Sequence, residues 1–411
     1  MLDAAASDPI RLGWMVGSPP PADRVIRFSD ESFFRFPATR WAFSHFRQLQ
    51  PTAVVPRANS PQIDLPRTER ADLDAVTFQP LGSTESMTWA ASLAANYTDG
   101  IVIVHRGRIV YERYFGALVP ERQHIAFSVT KSFVATLVAT LIVEGRIDEH
   151  ALVPRYLPEL AGSGFGDATV RQLLDMTTGL DYTEDYTDPH SPVWEFSRAG
   201  GFLPRPANYQ GPDSFYQFLE TIRKASPHGE RFAYKTVNTD VLGWILRRVT
   251  NQSLSELMRE RFWSVLGVEQ DGYFIVDPTG AEFAGGGYNC ALRDLARFGE
   301  MMRLDGRWNG RQVVPASVVA DIRNGGNRDH FALAGYHLLA GWSYRSMWWV
   351  SHNGHGAYAA RGIHGQAIYV DPVAEMVIAR FASHPLAANV NLDPTSLPAY
   401  HAVARHLMSN G

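Results

Sequence analysis

Ser128 and Lys131 stand three residues apart at the mouth of an apolar run, FSVTKSFVATLVATLIVEGRID, which begins at Phe127. Residues i and i+3 share one helix face, so the two side chains can meet. At a helix N-terminus the free N–H groups and the dipole point outward, which favours an oxyanion and disfavours an ammonium. Burial against the apolar helix pushes Lys131 the same way. A neutral lysine beside a serine is a base beside a nucleophile, the combination that acyl transfer uses. Lysine is scarce in this chain: of 38 basic residues, only Lys131, Lys224 and Lys235 are lysines. Arginine, the chain's usual cation, does not give up its proton. The bland alternative for the pair is an N-cap serine with a lysine that reaches out to water.

Periodicity supplies the elements that must position the pair. DGIVIVHRGRIVYERYF reads as a β-hairpin turning at Arg106-Gly107, preceded by a helix near Met87 to Asn96. The Ser128 helix ends at Gly145, a C-cap glycine. Residues 1–80 are proline-rich with little periodicity and read as an N-terminal arm packing on the core. Helical spacing dominates 149–280, in ATVRQLLDMTTGLDY and TDVLGWILRRVTNQSLSELMRERFW. DPHSPVWEFSRAGGFLPRPANYQGP reads as a long surface loop, a common place for function. LRDLARFGEMMRLDG is a further amphipathic helix, and strands return in GWSYRSMWWV, GQAIYVDP and EMVIARFA before a closing helix from Tyr400 to Ser409. The expected organisation is a sheet domain formed by 81–148 and 281–411, with a helical domain at 149–280 carrying a substrate loop.

Composition excludes several classes. The 411 residues are 45% hydrophobic and 19% charged with a net charge of -4, an ordinary globular balance with no nucleic-acid or anionic-membrane signature. The one cysteine, Cys290, allows no internal disulfide and reads as a small buried residue. The longest apolar run, Phe133 to Val143, is too short to span a bilayer, and the first residues lack a signal-peptide pattern, so a cytoplasmic location is expected. HNGHG at His352 is not a zinc-binding H-E-x-x-H, GSGFG at Gly162 is a turn, and no G-x-S-x-G elbow exists. No metal and no cofactor are expected.

The ordered motifs FSVTKSFVATLVATLIVEGRID, VRQLLDMTTGLDY, FAYKTVNTDVLGWILRRVTNQSL and LRDLARFG resemble the serine β-lactamase-like family in its class C branch, over roughly 80–385. RWAFSHFRQLQPTAVVPR, DYTEDYTDP and GIHGQ look most like its 6-aminohexanoate-dimer (nylon oligomer) hydrolase subgroup. The resemblance implies an α+β fold of the β-lactamase/penicillin-binding-protein kind, an antiparallel sheet flanked by helices plus a mostly helical domain. It implies Ser128 as nucleophile, Lys131 as its motif lysine and Tyr234 as general base for acylation, with Lys131 and Lys235 lowering the tyrosine's pKa. It places the oxyanion-hole N–H groups at Ser128 and Ile363, and Tyr186 against the scissile amide.

Three departures qualify the resemblance. Thr236 replaces the asparagine expected two residues after Tyr234, with Asn238 as a possible substitute. The strand triplet is Ala360-Arg361-Gly362, so its first residue is not the cation that binds β-lactam carboxylates. Ser197 stands where the subgroup's amine-binding acid is expected. Gly362, His364, Tyr186 and Ser197 are the substrate-binding candidates, with a packed or solvent-facing histidine as the alternative for His364. The reading is a serine hydrolase of small linear amides or esters, monomeric or homodimeric. It should act feebly on penicillins and on the 6-aminohexanoate dimer. A short-chain carboxylesterase or acyltransferase is the nearest alternative, and a catalytically inactive binding domain a more distant one.

Overall fold

The structure is a computed structural model that describes residues 1–59 and 61–409. Its centre is a seven-stranded antiparallel sheet. The strands are β1 (Thr98–His105), β2 (Arg108–Tyr114), β3 (Ser343–Arg345), β4 (Trp348–Val350), β5 (Tyr358–Gly362), β6 (Gln366–Asp371) and β7 (Met376–Ala382). Their spatial order is β3-β4-β5-β6-β7-β1-β2. The β1–β2 hairpin turns at Arg106 and Gly107, with φ of 50° and 75°, the left-handed pair that a two-residue hairpin turn needs.

Continuous apolar runs such as GIVIV arise because both faces of this sheet are covered. Val102 and Val104 face the main core, whereas Ile101 and Ile103 face a second cluster with Trp89, Tyr400 and Val403. The second cluster belongs to the short helix Trp89–Ala95 and the C-terminal helix Asp393–Ser409. That C-terminal helix starts seven residues earlier than its apolar periodicity suggests and carries Pro398 inside it.

The Ser128 helix, α1 (Val129–Val143), lies in the main core, with Val129 to Leu141 all buried. Its threonines are compatible with burial because they bond within the helix. Thr136 Oγ1 donates to Ser132 O at 2.6 Å and Thr140 Oγ1 to Thr136 O at 2.8 Å. Gly145, with φ of 73°, ends the helix as its C-cap glycine.

The proline-rich sequence around 189–212 is not all loop. It contains α2 (Pro192–Ala199), whose Val193, Phe196 and Ala199 are buried. Pro192 opens the helix, where its missing N–H costs nothing, and the apolar spacing of three anchors it. Further on come α3 (Val237–Thr250) and α4 (Leu292–Arg303), the second being the amphipathic LRDLARFG helix.

Residues 1–59 and 61–80 are built mainly of turns and short helices, held by single aromatic anchors such as Phe33, Phe43 and Phe46, all fully buried. Strand Thr52–Val55 pairs antiparallel with Gly272–Ile275 in a separate four-stranded sheet. Arg40 reaches Asp99 at 3.2 Å with both side chains buried, tying the arm to β1. Cys290 is a free, buried thiol, pushed well above its ordinary pKa by burial.

Candidate active site

Ser128 sits at the N-terminus of α1, half-buried, while Lys131 one turn along is 1% exposed. The Lys131 ammonium Nζ donates to Ser128 Oγ at 2.8 Å and to the carbonyl of Gly285. It also lies 5.2 Å from the centroid of the Tyr234 ring, within cation–π range. The three residues singled out from the sequence therefore converge, with Tyr234 contributed by the segment just before α3.

Burial acts on the two side chains in opposite directions. It lowers the Lys131 pKa, because a charged ammonium loses its water; the carboxylates of Glu184 and Asp240 oppose this. It holds the Tyr234 hydroxyl well above 10, reinforced by Glu184 and opposed more weakly by Ser128. Lys235 does not reach this point. Its Nζ donates to the carbonyls of Thr178 and Leu180, so it anchors the loop before Tyr186.

The residue before the serine is strained. Phe127 has φ of 42°, a left-handed conformation that costs a non-glycine residue about 1–3 kcal/mol. Aromatic rings hold it: Phe43 at 4.9 Å, His364 at 5.6 Å and Phe34 at 6.3 Å between centroids. Two of these rings come from the N-terminal arm, an involvement that its lack of periodicity concealed.

β5 ends beside the serine. A methyl group at Gly362 would press within 2.8 Å of Ala126 O and 3.0 Å of Ser128 N. Glycine is thus what lets the Gly362–Ile363 backbone approach the Ser128 amide. Ile363 follows in a short 3-10 turn. His364, at φ of 61°, is 6% exposed and packs edge-on to Phe34 and Phe43. Its Nδ1 bonds the carbonyl of His384 at 2.7 Å, and burial lowers its pKa to about 4.

Ala360 is fully buried. Arg361 points to the other side, pairs with Asp393 and lies 5.1 Å from the Trp349 ring centroid. Trp349 in turn stacks on Tyr234 at 5.7 Å. A cation thus stands on the wall of the site, but it is already matched by a carboxylate.

Glu184 is the acid that sequence reasoning missed. Its Oε2 accepts from the Tyr186 hydroxyl at 2.9 Å, and its Oε1 accepts from the backbone N–H of Thr236. Tyr186 packs edge-on to Trp194 at 5.9 Å. Asn238 turns away from the serine, its Oδ1 accepting from Thr178 Oγ1 at 2.9 Å. Ser197, 8% exposed on α2, donates its hydroxyl to Val193 O at 2.7 Å, one turn back in its own helix.

Among the described residues there is no cluster of histidine, cysteine, aspartate and glutamate suited to a metal ion, and no helix is long and apolar enough to cross a membrane.

Known proteins share this arrangement of chain. The Beta-lactamase family model matches residues 90–395. The 6-aminohexanoate-dimer hydrolase of Paenarthrobacter ureafaciens is 36% identical over 356 residues, which is 86% of this chain and 88% of that one. A solved structure from Bacillus anthracis, provisionally named a 6-aminohexanoate-dimer hydrolase, has a TM-score of 0.86 at 32% identity, covering 95% of this chain and 99% of that one. Esterase EstB of Burkholderia gladioli is 27% identical over 236 residues, 51% of this chain and 56% of that protein.

Proposed function

The chain belongs to the beta-lactamase family as a serine hydrolase similar to the 6-aminohexanoate-dimer hydrolases, and from that premise we propose how its own residues perform the reaction. Ser128 attacks the carbonyl carbon of a small linear amide or ester, and an acyl-enzyme forms on its Oγ. The observation that carries this reading is the 2.8 Å contact between Lys131 Nζ and Ser128 Oγ in a buried setting. Lys131 in its neutral form takes the Ser128 proton. Tyr234, which burial keeps protonated, supports the reading as the acid that delivers a proton to the leaving group and regains one from Lys131; water then attacks the acyl carbonyl, the acid product leaves and Ser128 Oγ recovers its proton. The N–H groups of Ser128 and Ile363 stabilise the oxyanion, and the close approach of Gly362 favours that assignment.

Sheet segments supply Ser128, Gly362 and Ile363, while the segment 149–280 supplies Tyr186 and Tyr234. The substrate accordingly binds where the two expected domains meet. Tyr186, held by Glu184, faces the leaving-group side.

The preferred substrates are uncharged or weakly charged. A desolvated ammonium group needs a carboxylate. Ser197 provides none. Arg361 is matched by Asp393, which weakens it as a receptor for a penicillin carboxylate. These features favour short-chain esterase activity as the second reading, on the same acyl-enzyme.

The test is a panel of linear amides, p-nitrophenyl esters and a chromogenic cephalosporin, run with wild type and Ser128→Ala. Ester turnover that disappears in Ser128→Ala, with little cephalosporin turnover, is expected. Ester turnover that survives in Ser128→Ala overturns the assignment.

A further inference from the structure

Asp240 is an aspartate in the first turn of α3, only 2% exposed. Its Oδ1 accepts the backbone N–H of Gly285 at 3.2 Å, while its Oδ2 is buried with no hydrogen-bond partner. The carbonyl of the same Gly285 accepts from Lys131 Nζ. One residue therefore bridges the buried carboxylate and the buried amine. The bridge is tight: a methyl group at Gly285 would fall 2.3 Å from Thr236 Cγ2 and 2.6 Å from Asp240 Oδ2. An orphaned carboxylate oxygen in such a place is costly unless it answers a nearby charge.

We propose that Asp240 is a positioning residue for the hydrolytic reaction: facing Lys131 across the Gly285 backbone, its carboxylate governs how readily Lys131 sheds and recovers its proton. This rests on the reading of Lys131 as the proton acceptor of Ser128. The groups facing Lys131 are Ser128 on its own helix, the Tyr234 ring, Asp240 on α3, the Glu184 carboxylate and the Gly285 carbonyl. Those facing Asp240 are Lys131, Glu184 and the N–H groups of Ala284 and Gly285.

Burial lowers the Lys131 pKa and raises that of Asp240. Each group favours the charged form of the other. Asp240 thus moderates the effect of burial, keeping Lys131 basic enough to accept the serine proton while still losing its own near working pH.

Asp240→Asn removes the carboxylate whose ionised form favours the Lys131 ammonium, and keeps an acceptor for Gly285 N–H. Neutral Lys131 then persists to lower pH. In a kcat/KM profile with p-nitrophenyl acetate, the acid limb should move down by about one pH unit, so that activity on that limb, relative to the plateau, rises about tenfold. KM should change little. Asp240→Ser, which also removes the carboxylate, carries the same test if the amide variant does not fold. A limb that stays in place while the plateau drops shows a merely structural aspartate and overturns the inference. Lys131→Ala, run alongside, separates the two ideas. If it is inactive while the Asp240 limb is unmoved, only the inference on Asp240 fails. If it retains wild-type turnover, the reading of Lys131 fails.

Discussion

Lys131 Nζ lies 2.8 Å from Ser128 Oγ, one helical turn apart at the start of α1. An amine and a hydroxyl at that distance exchange a proton without moving the backbone. A fluorophosphonate probe should consequently label Ser128, with the adduct located by peptide mapping. Labelling that persists undiminished in Ser128→Ala would sink the assignment.

Lys131→Arg should be nearly as damaging as Lys131→Ala. Arginine preserves the charge but holds its proton at any working pH. Losses of about 10²- to 10⁴-fold in kcat/KM are expected for both. Because burial lowers the Lys131 pKa, the wild-type rate should climb with pH well below the 10.5 of an ordinary lysine. A variant with arginine that keeps most activity would make Lys131 a structural cation.

Tyr234→Phe should fold normally and impair amides more than aryl esters. An amine must be protonated to leave, whereas an aryloxide leaves with little help. The ratio of amide to ester kcat/KM is the measurement; an unchanged ratio would remove Tyr234 from the leaving-group side.

Ser197→Asp should raise turnover of the 6-aminohexanoate dimer and lower Tm at the same time. The position is 8% exposed, so a carboxylate there is poorly solvated until an ammonium pairs with it. Dimer turnover that does not respond would place the amine elsewhere, with Glu184→Gln as the next variant to assay.

His364 gives stability a pH dependence. Its folded pKa is about 4 against an ordinary 6.5. Above pH 6.5 neither state is protonated and stability is full. Between 6.5 and about 4 only the unfolded chain takes the proton, so stability falls as pH falls, by a few kcal/mol in total. Below that window the contribution is flat. Denaturant titrations of His364→Gln should show a shallower decline across the same window; an identical slope would mean that other groups carry it.

The elements near the chemistry were legible wherever one physical signal dominated. The spacing of Ser128 and Lys131, the Arg106-Gly107 turn and the amphipathic LRDLARFG helix each state their geometry locally. α2 was hidden because Pro192 and its glycine- and proline-rich flanks resemble a loop, and only Val193, Phe196 and Ala199 betray the helix. Asp240 was hidden for another reason. An acid in the first turn of a helix ordinarily faces water and the dipole. What buries this one is Gly285, 45 residues further on, and nothing local announces that contact. Glu184 was overlooked likewise, because its partners, Tyr186 and the Thr236 amide, come together only after the chain has folded.

β1 pairs with β7, so that Ile103 stands opposite Ile378. Nearly all the intervening chain must therefore be synthesised before the central sheet can close. Contacts of such long sequence separation make folding slow and leave apolar surface uncovered meanwhile. The Ser128 helix, buried along almost its whole length in the finished molecule, is among the surfaces that must wait for their cover. A nascent chain lacking β5 has Ser128 and Lys131 but not the Gly362–Ile363 edge beside them. The proposed site is then complete only once β5 is in place, after most of the polypeptide has been made.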